Sequence, residues 1–149
     1  MKKVIAVLMV LVVYAGFAFA EEKSRDGRFI AYDNGTVLDT RTNLMWAAKD
    51  NGSDISWTTA KSYCENYRGG GYADWRLPTL NELDGLYDSA LTGKNGYMLT
   101  NFIELTSCCL WASQITGSAA AYFLFDSGTR NLVHRSGDYN RVLPVRSVK

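Results

Sequence analysis

The sequence predicts an α+β domain, with two short helices packed on an antiparallel multi-stranded sheet. Three observations carry this expectation. Trp57, Ala60, Tyr63, Cys64 and Tyr67 fall on one face at helical spacing. Thr79 and Glu82 stand at the spacing of a capping box, in which the two residues satisfy each other's orphan backbone donors at a helix start. Beyond residue 108, short apolar runs alternate with clusters of Ser, Thr, Gly and Asp, the pattern of hairpin-linked strands.

Taken in order, residues 1–20 read as a signal peptide. Lys2 and Lys3 precede an apolar run, and Ala18-Phe19-Ala20 offers a cleavage site before Glu21. The chain is therefore expected to be exported, periplasmic or extracellular. No membrane segment is expected after cleavage, because no other long apolar run exists. Residues 21–28 are charged and read as a disordered lead. Residues 29–149 then form a single domain.

Strands are predicted at 29–32, 36–39 and 44–47, with Asp33-Asn34-Gly35 supplying the first reversal. Ser56 caps the first helix, and Gly69-Gly70-Gly71 ends it. Pro78 forbids helix before it and keeps Leu77 extended, so the second helix starts after Thr79 and runs to about residue 89. Leu80, Leu83 and Leu86 or Tyr87 form its buried face. Gly85 weakens it by about 1 kcal/mol relative to alanine, so it needs tertiary support. Residues 92–106 read as a long irregular connection. Strands at 108–113, 120–126, 131–135 and 141–148 are expected to form an antiparallel meander.

The formal net charge is +1, which gives no global pull on nucleic acid or anionic membrane. The carboxy-terminal stretch is different, with Arg130, Arg135, Arg141, Arg146 and Lys149 against Asp138 alone. Such a basic end suits an anionic partner. Cys64, Cys108 and Cys109 would meet an oxidising compartment after export. Neighbouring strand residues point to opposite faces, so Cys64 is expected to pair with Cys108 or with Cys109. One thiol is then left over for a disulfide-linked dimer. The alternative is three buried, unpaired cysteines.

Trp46, Trp57, Trp75 and Trp111 lie within regular elements and are assigned to the core. Arg76 sits between Trp75 and Leu77, so burial would demand several carbonyls or a carboxylate, with Glu82 and Asp84 as candidates by proximity in sequence. Thr79 and Glu82 are assigned structural roles. The single histidine, His134, has no nucleophile motif and no zinc spacing around it. Asp50-Asn51-Gly52-Ser53-Asp54 lacks the spacing of a calcium loop and reads as a solvated turn. No catalytic residue, metal or cofactor is expected. The candidate ligand-binding residues are Arg130, His134, Arg135, Tyr139, Asn140 and Arg141, which adjacent antiparallel strands would bring together. Arginine forks match sulfate and carboxylate oxygens. The competing reading is a solvated basic edge that discourages strand-to-strand aggregation.

Trp57-x-x-Ala60-x-x-Tyr63-Cys64, the glycine turn, and Trp75-Arg76-Leu77-Pro78-Thr79-x-x-Glu82-Leu83 together resemble the Lcl C-terminal domain family. The resemblance extends to Asp33-Asn34-Gly35-Thr36-Val37-Leu38-Asp39, Asn43-Leu44-Met45-Trp46, Leu110-Trp111-Ala112-Ser113, Ala121-Tyr122-Phe123 and Val145-Arg146. It implies a C-type-lectin-like fold in an exported bacterial protein, and a surface adhesin domain that binds sulfated polysaccharide. It also implies distant similarity to formylglycine-generating enzymes. Their catalytic cysteine and glycine-rich motifs have no counterpart here, so no catalytic residue carries over. Lectin-like domains usually tie the first helix to the last strand by a disulfide, yet residues 142–146 hold no cysteine. Three readings result: a non-enzymatic recognition domain for an anionic glycan, a structural or assembly module contacting envelope proteins, and a thiol-dependent oxidoreductase.

Overall fold

A computed structural model describes residues 19–149, and the signal-peptide reading falls mainly on residues 1–18, outside those described. Four antiparallel strands come first: β1 (Glu22–Asp26), β2 (Phe29–Tyr32), β3 (Thr36–Asp39) and β4 (Leu44–Ala47). Asn43 closes the reversal before β4 with φ 56°, a left-handed conformation its short polar side chain tolerates. The register sets Val37 opposite Trp46, and both are buried.

β1 corrects the expected disordered lead over 21–28. All five of its residues are exposed, so it lacks the apolar alternation that marks a half-buried strand. What holds it is backbone pairing to β2, extended by Asp33 N–H donating to Glu21 O at 3.0 Å.

Helix α1 (Trp57–Asn66) begins where Ser56 Oγ accepts the Thr59 N–H at 3.3 Å. Ala60 and Cys64 are its buried residues, while Tyr63 faces outward. The helix ends at Tyr67, before the glycine triplet. Gly70 serves a different purpose: its φ is 66°, and a Cβ there would come within 2.7 Å of Thr36 Cγ2. Glycine lets the chain pass close over the β2–β3 reversal.

Helix α2 (Leu80–Leu86) carries both halves of the capping box. The Glu82 N–H donates to Thr79 Oγ1 at 3.1 Å, and the Thr79 N–H donates to Glu82 Oε2 at 2.8 Å. The helix stops at Leu86, short of the expected residue 89. The support that Gly85 requires comes from two guanidiniums, Arg28 at 2.7 Å and Arg41 at 3.0 Å, which donate to its carbonyl. Cations at a helix carboxy terminus also favour its dipole.

Strands β5 (Cys109–Thr116), β6 (Ala119–Leu124) and β7 (Thr129–His134) form the expected meander, but the last strand does not join it. β8 (Val145–Ser147) pairs with β4 instead, giving a five-stranded sheet β1-β2-β3-β4-β8 beside the three-stranded sheet β5-β6-β7. The architecture is α+β, with two helices on antiparallel sheets.

One core cluster joins both sheets and α2 through Trp46, Leu83, Leu86, Phe123, Phe125 and Leu143. The irregular 92–106 connection is part of it, because Leu99, Ile103 and Leu105 are fully buried. A second cluster packs α1 on the other face of the small sheet, through Ala60, Cys64, Leu77, Trp111, Ala120 and Val142.

Candidate functional site

The six candidate ligand-binding residues do not converge. β7 lies on one side of β6 and β5 on the other. Arg141 runs beside β5, its N–H donating to Cys109 O at 3.0 Å and its carbonyl accepting from Trp111 N–H at 2.9 Å. Residues 130–135 and Arg141 therefore sit at opposite edges of the three-stranded sheet. The expected adjacency fails because the chain leaves β7 and crosses past α1, where Ile55 N–H donates to Asn140 O at 3.0 Å.

Each residue also has its own surroundings. Asn140 is buried, and its Nδ2 has no hydrogen-bond partner. The Arg141 guanidinium is committed internally, to Thr106 Oγ1 and to Asp54 Oδ1 at 3.3 Å. Arg130 reaches Asp84 on α2 at 3.2 Å. His134 is exposed and holds Ser136 Oγ at 2.7 Å through Nδ1. Tyr139 is exposed and Arg135 half-buried. A surface of His134, Arg135 and Tyr139, flanked by Arg130, is what remains of the predicted patch.

Trp46, Trp75 and Trp111 are buried, whereas Trp57 is half-buried with its indole N–H donating to Ala112 O at 2.8 Å. Arg76 takes Glu82 rather than Asp84, in a bidentate pair at 2.8 and 2.7 Å. Burial raises the Glu82 pKa, but the hydrogen bonds from Arg76 and from the Thr79 backbone outweigh it and hold the carboxyl below its ordinary range. Asp50 corrects the reading of a solvated turn. It is buried, and its carboxylate accepts the Thr106 N–H and hydroxyl, each at 2.6 Å, and the Gly52 N–H at 2.9 Å.

The expected disulfide to Cys64 is also corrected: Cys108 and Cys109 pair with each other, and Cys64 is a buried free thiol. α1 turns Cys64 into the second core cluster with Trp111 and Leu77, so no described cysteine offers an exposed thiol for a dimer. Burial, with Glu65 adding to it, pushes the Cys64 pKa far above the ordinary thiol range. A thiol held protonated is a poor nucleophile.

The shift has a consequence for stability. An unfolded thiol ionises near about pH 8.5, while the folded one keeps its proton. Stability from this site is complete below that pH. Above it the native state binds more protons than the unfolded state, so stability falls by about 1.4 kcal/mol per pH unit. Cys64→Ala is expected to lose this alkaline limb while costing some stability at neutral pH. Urea midpoints of both proteins between pH 8 and 10 check it. Parallel pH profiles would reject the assignment.

A concave surface with three lysines lies elsewhere. A groove of about 460 Å³ runs over β1, β2 and β3 against the 94–104 connection, lined among others by Lys23, Lys49 and Lys94, by Asp33 and Glu104, and by Tyr32 and Phe102. Lys49 reaches Glu104 at 3.4 Å. Among the described residues, neither Lys23 nor Lys94 has a carboxylate within ion-pair distance. Sequence reasoning missed this groove because its lysines come from three separate polar segments, and no local run marks them. The signal was β1 itself: once 21–28 is a strand, Lys23 is placed on the sheet.

Among the described residues no helix is long and apolar enough to cross a membrane, and no group of three or more His, Cys, Asp or Glu is arranged to hold a metal ion. No curated protein matches the chain significantly. Residues 35–146 match the Lcl C-terminal domain. The match runs from the β2–β3 reversal through both helices and both sheets to β8, so the chain belongs to the Lcl C-terminal domain family.

Proposed function

We propose that this domain is an exported, non-enzymatic recognition module that binds an anionic polysaccharide or a similar surface polyanion, in the manner of an adhesin. The lysine groove carries the reading. It offers two lysines without an ion-paired carboxylate beside two aromatic rings, in a concavity of about 460 Å³. Pockets of this kind combine apolar walls with a few polar groups that fix orientation. Lysine ammonium groups attract sulfate and carboxylate as point charges, and the attraction weakens as salt screens it. The edge surface of Arg130, His134, Arg135 and Tyr139 would extend the same attraction along β7.

The test is retention on immobilised heparin at two ionic strengths. Lys23→Ala with Lys94→Ala removes two surface charges, each contributing up to about 1 kcal/mol. Binding is expected to weaken about 5- to 10-fold near 0.1 M salt, with elution at lower salt. Arg135→Ala, on the far surface, is expected to have the smaller effect. Retention by the wild type that ignores salt, or a double variant that elutes with it, would sink the reading.

One observation favours assembly with another envelope protein as a second reading. Leu132 is 52% exposed on β7, an edge strand of the small sheet. An open edge with an apolar side chain is a template for pairing with another strand. A mass above the monomer in light scattering, lost in Leu132→Lys, would move the weight to that reading.

A further inference from the structure

The outward side of α1 carries a second built surface, which shares no lining residue with the lysine groove. It is an open cleft of about 370 Å³ lined by Thr59, Ser62, Tyr63, Asn66, Tyr67 and Arg68. Tyr63 and Tyr67 are one helical turn apart, with ring centroids 6.0 Å apart and planes inclined by 28°. The two rings stack on each other, and Tyr63, the more exposed of the pair, is the aromatic floor of the cleft. Tyr67 is braced in turn by Trp75, which meets it edge-on at 5.1 Å and 80°. Gly69 has no room for a side chain, since a Cβ would lie 2.4 Å from the Tyr67 ring. Glycine at that position lets the hydroxyl end of the Tyr67 ring come close to the backbone.

Such a floor needs a reason, because Tyr63 gains little by staying 37% exposed. The rim supplies one. Arg68 Nη1 donates to Glu65 O at 2.9 Å and to Tyr67 O at 2.8 Å, which fixes the guanidinium at the end of the helix. Among the described residues no carboxylate lies within ion-pair distance of Arg68, and the nearby Glu65 is taken by Lys61. Asn66 Nδ2 is used on Ser62 O at 2.9 Å and Thr59 Oγ1 accepts from Ser56 Oγ at 2.9 Å, which leaves Asn66 Oδ1, the Ser62 hydroxyl and the Thr59 hydroxyl proton for a ligand in the cleft they line. An aromatic floor, neutral hydrogen-bonding groups and one unpaired guanidinium make a defined chemical request.

We infer that this cleft is a subsite for a uronic-acid pyranose of an unsulfated acidic polysaccharide. The apolar C–H face of the ring stacks on Tyr63, which Tyr67 backs, as flat apolar surfaces do on aromatic faces. The ring carboxylate pairs with the Arg68 fork, whose planar donors match it in two-point fashion. Ring hydroxyls meet Thr59, Ser62 and Asn66. A neutral hexose would satisfy the floor and leave Arg68 unused, whereas a sulfated, weakly stacking chain would do the reverse. The uronate uses both.

Calorimetric titration with a short oligogalacturonate near 0.15 M salt tests the assignment. Tyr63→Ala is expected to weaken binding at least tenfold, while Tyr63→Phe keeps it within about twofold, since stacking needs the ring and not the hydroxyl. Arg68→Gln is expected to weaken the acid oligomer about tenfold and to leave the methyl-esterified oligomer unchanged. Lys23→Ala with Lys94→Ala is expected to leave this binding intact, so failure of the lysine groove and failure of this cleft read out separately. Tyr63 is solvent-facing, and a native circular dichroism spectrum confirms that its variants fold. No binding by the wild type, or equal binding by Tyr63→Ala, would overturn the inference.

Discussion

Truncation of Trp111 to Ala is expected to destabilise the domain by about 3–5 kcal/mol. That is a large share of the roughly 5–15 kcal/mol by which single domains are stable. Trp111 is fully buried at the centre of the cluster between α1 and the small sheet, with Tyr122 edge-on at 6.4 Å. Its indole N–H donates to Ile55 O at 2.7 Å, which ties the segment before α1 to β5. Alanine would empty the indole's volume and leave that carbonyl unpaired in the interior. The first loss is the cavity and transfer cost, and the second adds about 1 kcal/mol. Trp111→Phe keeps most of the volume and should lose mainly the hydrogen bond, so its cost should be clearly smaller. Urea unfolding at constant m value reads both. A Trp111→Ala variant within 1 kcal/mol of wild type would mean that α1 closes over the gap, and that the second cluster is not the clamp described here.

Much of this framework was legible because it is local. Ser56, Thr79 and Glu82 announce helix starts through bonds made three residues away, and those bonds are present. The reversals at 33–35 and 40–43 are likewise set by residues inside them. Legibility ends where the partner is distant. β8 reads as one more meander strand, yet its register matches Met45 with Arg146 and Trp46 with Val145 across the other sheet. Leu99, Ile103 and Leu105 read as apolar residues in a loop without period, because a buried irregular segment has none to show. β1 fails for the opposite reason, having no apolar residue at all.

The candidate site shows the same division more sharply. Placing Arg135 and Arg141 together assumed that strands adjacent in sequence are adjacent in space, a sound default for hairpins. Here residues 136–144 travel past α1 to the far side of β5, and Arg141 is spent on Thr106 and Asp54. The cysteines follow the same logic. Neighbours on a regular strand would diverge, but Cys108 precedes β5 rather than lying in it, and the pair closes on itself. Tyr63 was assigned to the buried face of α1 on helical spacing alone. The face is wide enough for Ala60 and Cys64, and Tyr63 falls at its edge.

Asp50→Ala should rank next in effect, at about 3 kcal/mol, the scale of leaving buried donors unmatched. Its carboxylate is the single acceptor for three donors, Gly52 N–H, Thr106 N–H and the Thr106 hydroxyl. The same Thr106 oxygen then accepts from Arg141, so a chain of charge-assisted bonds links the 50–54 loop, the end of the 92–106 connection and the run beside β5. Asn51 doubles the link, its N–H donating to Val142 O at 3.1 Å and its Oδ1 accepting from Val142 N–H at 2.8 Å. Three segments without regular structure are thus held by side chains where the sheets provide no ladder. Asp50→Asn keeps one acceptor but turns an amino group toward a donor, and should fall between wild type and alanine. Amide exchange at Thr106 should accelerate in both variants while the β2–β3–β4 amides stay protected, because the sheet does not depend on this clamp. A cycle with Thr106→Val separates the pair from its surroundings, and a coupling of about 1–2 kcal/mol is expected for residues in one network. Additive losses, or exchange that quickens across the five-stranded sheet as well, would show that Asp50 acts through general packing and not through Thr106.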